Sequence, residues 1–159
     1  MTGIQIAEAL ERTPLAVAIA KSIWLFPLIE TLHVLGLILV VGSVAILDVR
    51  LLGLGNIHRP LNDLMRSVLP WTWSSFVVAA ICGALLFSSK ASTYYVNVPF
   101  RVKFVCLGLA AANMIAFHSR SHDLPNFGPT PMRARIAGAI SLLLWLAIVS
   151  TGRWIGFTT

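Results

Sequence analysis

An imidazole and a carboxylate three residues apart, His33 and Glu30, stand in a stretch from Phe26 to Leu47 that is otherwise apolar enough to cross a lipid bilayer. On a helix that spacing puts both on one side, about one turn apart. Ionisable groups at membrane depth usually face a bundle interior, where they mark a ligand, ion or proton site. The competing use of such a pair is a hydrogen bond between helices that only orients the bundle. Lys103 lies at a similar depth in a later apolar run. An amine there snorkels to the headgroups, pairs with Glu30, or loses its proton and becomes a ligand. Gly36, one turn beyond His33, leaves a gap beside the imidazole that admits either a flat ring or a neighbouring helix. Arg153 ends the last apolar run on the same side.

The elements that must position these groups follow from composition. The chain has 159 residues, 57% hydrophobic and 11% charged, with mean hydropathy +0.84, where soluble domains average about 25% charged. Four runs, 27–47, 70–87, 100–117 and 136–151, approach the ~20 residues a spanning helix needs. Lipid offers the backbone no hydrogen-bonding partner outside its own helix. The expectation is therefore all-α: an integral membrane antiparallel four-helix bundle with both termini on one side. A single transmembrane domain over 1–159 is expected, with spans at about 24–47, 68–88, 99–118 and 134–153. Residues 3–22 mix apolar positions with Gln5, Glu8, Glu11 and Arg12, which predicts one short helix lying in the interface. The same acids and the short run 14–20 do not fit a cleavable signal peptide, so the start is expected to be retained. Pro27, Pro70 and Pro99 are expected at helix starts, where the missing N–H is harmless. Cys82 and Cys106 read as small buried residues of the second and third spans.

A net charge of +6 does not indicate nucleic acid, because the basic residues are scattered singly between spans. Anionic lipid headgroups are the expected partner. With side A defined as the side bearing both termini, the twelve basic residues divide six and six, and counting does not orient the chain. The side-B arginines lie in short loops, which points to side B as cytoplasmic and to periplasmic termini in a bacterial inner membrane. Tyr94 and Tyr95 on side A, and Trp71 and Trp73 toward side B, have the character of interface anchors.

Depth decides which groups can meet. At about 1.5 Å per residue, His33 lies roughly 9 Å inward from Pro27 and Lys103 roughly 6 Å from Pro99, whereas His118 lies roughly 28 Å along the third span. His33 and His118 therefore cannot ligate one iron. On side B, His118 and His122 have helical i, i+4 spacing, and with His58 they form a possible second metal site of low specificity. No Gly-x-Ser-x-Gly elbow, Walker loop or zincin helix occurs, so nothing supports hydrolysis.

The set Glu30-x-x-His33-x-x-Gly36, Asp48-Val49-Arg50-Leu51-Leu52-Gly53, Pro70-Trp71-Thr72-Trp73, Phe100-x-x-Lys103, Asn113-x-x-x-Phe117-His118 and Gly152-Arg153 resembles an uncharacterised family of short bacterial four-span membrane proteins over nearly the whole chain. More loosely, the layout is similar to HemJ-type protoporphyrinogen oxidases and CopD-like copper-resistance membrane proteins. The HemJ resemblance implies a b-type haem, with His33 and Lys103 in haem-linked positions and His118 in a later histidine position. The chain departs from that pattern in its second-span tryptophans, in Glu30 and in its fourth span. The resulting expectation is a haem b protein of electron transfer or porphyrin-linked redox with a membrane or periplasmic redox partner. In it His33 is the axial ligand, Lys103 is its partner or a propionate contact, and Glu30, Gly36 and Arg153 line the site. The alternatives are a CopD-like protein handling copper or another metal ion, and a non-catalytic accessory subunit of a membrane complex. Copper is disfavoured by the few methionines, of which only Met114 falls in a span.

Overall fold

In a computed structural model, which describes residues 2–54, 60–119 and 130–158, every regular element is a helix. In chain order they are α1 (Gly3–Glu11), α2 (Pro14–Lys21), α3 (Leu25–Leu51), α4 (Leu61–Ser89), α5 (Ala91–Val96), α6 (Val98–His118) and α7 (Met132–Thr158). The helices α3, α4, α6 and α7 are each long and apolar enough to cross a membrane. The chain is thus an all-α integral membrane bundle, as the composition requires.

Local chemistry explains the boundaries, including three the sequence reading missed. The expected single interfacial helix is two, because Thr13 caps a new start, its side chain accepting from the Ala16 N–H, and Pro14 opens α2. The second span starts earlier than expected because Pro70 lies inside α4, nine residues past its beginning. Membrane helices tolerate an interior proline where neighbouring groups satisfy the freed backbone. The connection holding Tyr94 and Tyr95 is itself a helix, α5, and Asn97 caps the next one by accepting from the Phe100 N–H at 3.0 Å. At the other end of α3, Gly53 adopts φ +80°. There the Gly53 and Leu54 N–H groups return to the Arg50 and Val49 carbonyls, each at 3.1 Å, a left-handed helix stop that glycine permits at least cost.

Close helix approaches occur at glycines. A Cβ at Gly36 would stand 3.1 Å from the Ala79 Cβ and 3.2 Å from the Ser75 carbonyl oxygen, so α3 and α4 meet there nearly backbone to backbone. Gly138 does the same for α7 against Leu51 and Asp48 of α3. The spans lie in the order α4, α3, α7, α6, and α4 and α6 do not approach along their backbones. Their gap is bridged by rings: Phe87 of α4 stacks on Phe100 of α6 at 5.3 Å between centroids.

Side A is closed by the short helices. Glu11 accepts from both the N–H and the hydroxyl of Ser92, tying α1 to α5. Asn97 donates to Thr158 at 2.8 Å, bringing the end of α7 to the α5–α6 junction. Both termini are therefore on the same side. At side B, Leu51, Leu61 and Ala134 form a buried apolar cluster, with Met65 and Phe117 packed on it.

Candidate functional site

His33 is half-buried on α3 against α4, and its Nδ1 lies 2.7 Å from the Ala79 carbonyl oxygen. A carbonyl only accepts, so Nδ1 carries the proton and the Nε2 lone pair is left for another partner. Space for the ring comes from Gly83 on α4, where a Cβ would stand 2.9 Å from the His33 Cε1. The sequence reading did not find this glycine. Gly83 lies six residues from the side-A end of α4, roughly 9 Å at 1.5 Å per residue, which is also the depth of His33 below Pro27. Matching depths between spans therefore carried the signal.

The glycine that was singled out, Gly36, serves the other use open to it. Helix α4 fills the space beside it, so no flat ring fits at that position.

Lys103 is half-buried on α6, with its ammonium over Gly152 of α7, where a Cβ would stand 3.5 Å from Nζ. The charges of Lys103 and Glu30 both act on the His33 imidazole, so the structure brings these three together on side A. Glu30 is exposed, contrary to the expectation that it turns inward. Near the start of α3 a carboxylate can still reach the polar side of the bundle. Its charge also acts on Tyr94, whose phenol is pushed above its ordinary value, first by burial and then by Glu30. Arg153 is exposed and its guanidinium lies over the Phe157 ring at 5.2 Å, a position at the end of α7 away from the imidazole's described contacts.

One turn toward side A of this group is an aromatic stack that sequence reading also missed. Phe100 lies against Phe87 at an 11° interplanar angle, against Tyr94 at 20°, and against Phe104 at 54°. Phe87 follows Gly83 by four residues and Phe100 precedes Lys103 by three, so helical spacing puts the rings over the same faces. The result is a set of stacked rings that bridges α4 and α6, one turn toward side A of Gly83 and Lys103.

On side B, His118 ends α6 and is exposed, while His58 and His122 lie outside the described residues. Among the described residues no cluster of three or more His, Cys, Asp or Glu side chains could hold a metal ion. Asp48 and Arg50 are instead buried at 4% exposure each. Arg50 donates to the Thr130 hydroxyl at 3.2 Å, and Asn113 donates to the Ala137 carbonyl, joining α6 to α7.

No curated protein and no solved structure matches the chain. A family model does match, over residues 23–158, from just before α3 to the end of α7, and so takes in every residue of the side-A group. With its four spans and this shared stretch, the chain belongs to the family described as "Family of unknown function (DUF6644)".

Proposed function

We propose that this is a membrane-embedded b-type haem protein of electron transfer or porphyrin-linked redox, with His33 as the axial ligand on side A. The observation that carries the reading is the 2.7 Å bond from His33 Nδ1 to the Ala79 carbonyl. Histidines that ligate metals almost always donate their second ring N–H to a carbonyl or carboxylate, which fixes the tautomer and makes the free nitrogen a better ligand. The resemblance in layout to HemJ-type proteins supports it, as do the stacked rings one turn toward side A of Gly83 and Lys103. A b-type haem supplies one-electron redox chemistry, whose potential the protein sets through ligand identity, burial and nearby charge.

The donor set fits that group. His33 offers one nitrogen, Ala79 and Gly83 hold its ring, and Lys103 offers either a second nitrogen or a cation for a carboxylate substituent. Tyr94 and Glu30 place a neutral phenol and an anion at the side-A rim.

The test is an absorbance spectrum, oxidised and reduced, of the chain purified from haem-replete cells, together with elemental analysis. A Soret band that shifts on reduction, with about one iron per polypeptide and loss of both in His33→Ala, is the expected result. A colourless protein carrying copper would replace this reading with the CopD-like one. A colourless and metal-free protein that co-purifies with another membrane protein would replace it with an accessory subunit.

A further inference from the structure

The side-B half holds a group that the haem reading does not use. Asp48 is 4% exposed, about one turn from the side-B end of α3. Gly138 seats the α7 backbone directly on it, a Cβ there standing 3.2 Å from the Asp48 carbonyl oxygen. The side chain of Ser141, three residues further along α7, makes a hydrogen bond to the carboxyl group. The other carboxyl oxygen, Oδ2, is buried without a hydrogen-bond partner among the described residues. Leu51, one turn outward on α3, belongs to the buried apolar cluster with Leu61 and Ala134, so Asp48 lies just inside the side-B end of the bundle.

Among the described residues, no basic side chain is bonded to the Asp48 Oδ2. On α3, Arg50 is directed to Thr130. From α7, Arg135 stands over Gly53, where a Cβ would meet its Nη2 at 3.1 Å. On α4, Asp63 and Arg66 are exposed. Among the described residues an ionised carboxylate so placed finds neither a bonded counter-ion nor its full set of hydrogen bonds, and proteins meet that cost by neutralising the group. A metal ion needs several more oxygen or nitrogen ligands than one carboxylate and one hydroxyl supply.

We infer that Asp48 is a proton-binding site: in the resting protein its carboxyl group is neutral, with the proton on Oδ2, and it exchanges that proton with side B. The step is the bare equilibrium of a carboxylate with one proton from water, and no other bond changes. The inference is independent of the haem reading.

Infrared difference spectra of the full chain in detergent micelles, recorded across pH, test it. The expected result at neutral pH is the carbonyl stretch of a protonated carboxylic acid, displaced when the aspartates carry carbon-13. It should be lost in Asp48→Asn, shifted in frequency in Ser141→Ala, and converted to carboxylate bands only as the pH is raised. Isotope labelling of the wild-type chain and the Ser141→Ala shift keep the test decisive even where Asp48→Asn fails to fold. Absence of a protonated aspartate band at neutral pH would overturn the inference. So would a band unchanged in Ser141→Ala, or carboxylate bands that respond to sodium rather than to pH.

Discussion

Among single residues, the tie between His33 and Ala79 is the most exposed to test, because it is held by a glycine that touches no ligand. Gly83→Ala puts a methyl group where the His33 Cε1 lies, at 2.9 Å, and the ring must move off the Ala79 carbonyl. Loss of such an outer partner typically costs about 10- to 100-fold in metal affinity. Haem titration of Gly83→Ala should therefore show weakened binding with His33 intact. Lys103→Ala should shift the spectrum or weaken binding, and His118→Ala should leave it nearly unchanged, since α6 holds His118 roughly 22 Å from Lys103 at 1.5 Å per residue. Haem per polypeptide in the three variants checks this ordering, and full loss in His118→Ala would move the site to side B. Tyr94 gives a separate readout of the same cluster. Burial and the Glu30 charge raise its folded-state pKa, so the stability it contributes is present below the ordinary phenol value and is lost as pH rises through the raised one. The tyrosinate step that disappears in Tyr94→Phe should lie above that ordinary value, and Glu30→Gln should move it down. A step that ignores Glu30→Gln would show that the carboxylate does not reach the phenol. His33, Glu30 and Lys103 were legible because ionisable groups stand out against lipid-compatible sequence. Their supports were not, since a backbone carbonyl has no signature and Gly83 means something only opposite a ring on another helix.

At the level of the helices, composition and length located all four spans, while the boundaries depended on what prolines and glycines met in the fold. Pro70 looked like a start because soluble helices confine proline there, yet α4 runs through it from Leu61. Trp71 and Trp73 remain consistent with interface anchors. They are exposed, and Trp71 sits ten residues into α4, so about 15 Å of that helix precedes it on side B. Glycine use within one helix was not readable at all. Gly36 and Gly42 both interrupt the apolar run of α3, but Gly36 lies against the α4 backbone whereas a Cβ at Gly42 meets nothing within 4 Å. The two should respond oppositely to bulk. Gly36→Leu has to push α3 and α4 apart and should cost about 1–3 kcal/mol or more, the usual range for overpacking. Gly42→Leu adds a side chain directed to open space and should be neutral or slightly stabilising, as leucine is the better helix former. Unfolding of both variants by denaturing detergent, followed by circular dichroism, measures the contrast. Equal losses would mean that the α3–α4 contact is not set by Gly36.

For the molecule as a whole, the sidedness of the spans separates the two polar sites and orders the remaining expectations. Four antiparallel spans bring α1, α2, α5 and both termini to side A, where Glu11 bonds Ser92 and Asn97 bonds Thr158. His33 and Lys103 lie in that half, and Asp48 lies at the other end of the same α3 helix. Fifteen residues separate His33 from Asp48, roughly 22 Å at the helical rise. A membrane protein with a half-buried imidazole near one face and a buried carboxyl group near the other is polarised across the bilayer, whichever face is cytoplasmic. The basic residues divide evenly between the sides, so the charge rule does not choose the orientation, but the relation between the termini is fixed by these bonds. Epitope tags placed at the two ends should become accessible to an impermeant probe together, either in intact spheroplasts or only after permeabilisation. If the tags report from opposite sides, the four-span topology fails, and with it the assignment of His33 and Lys103 to one depth.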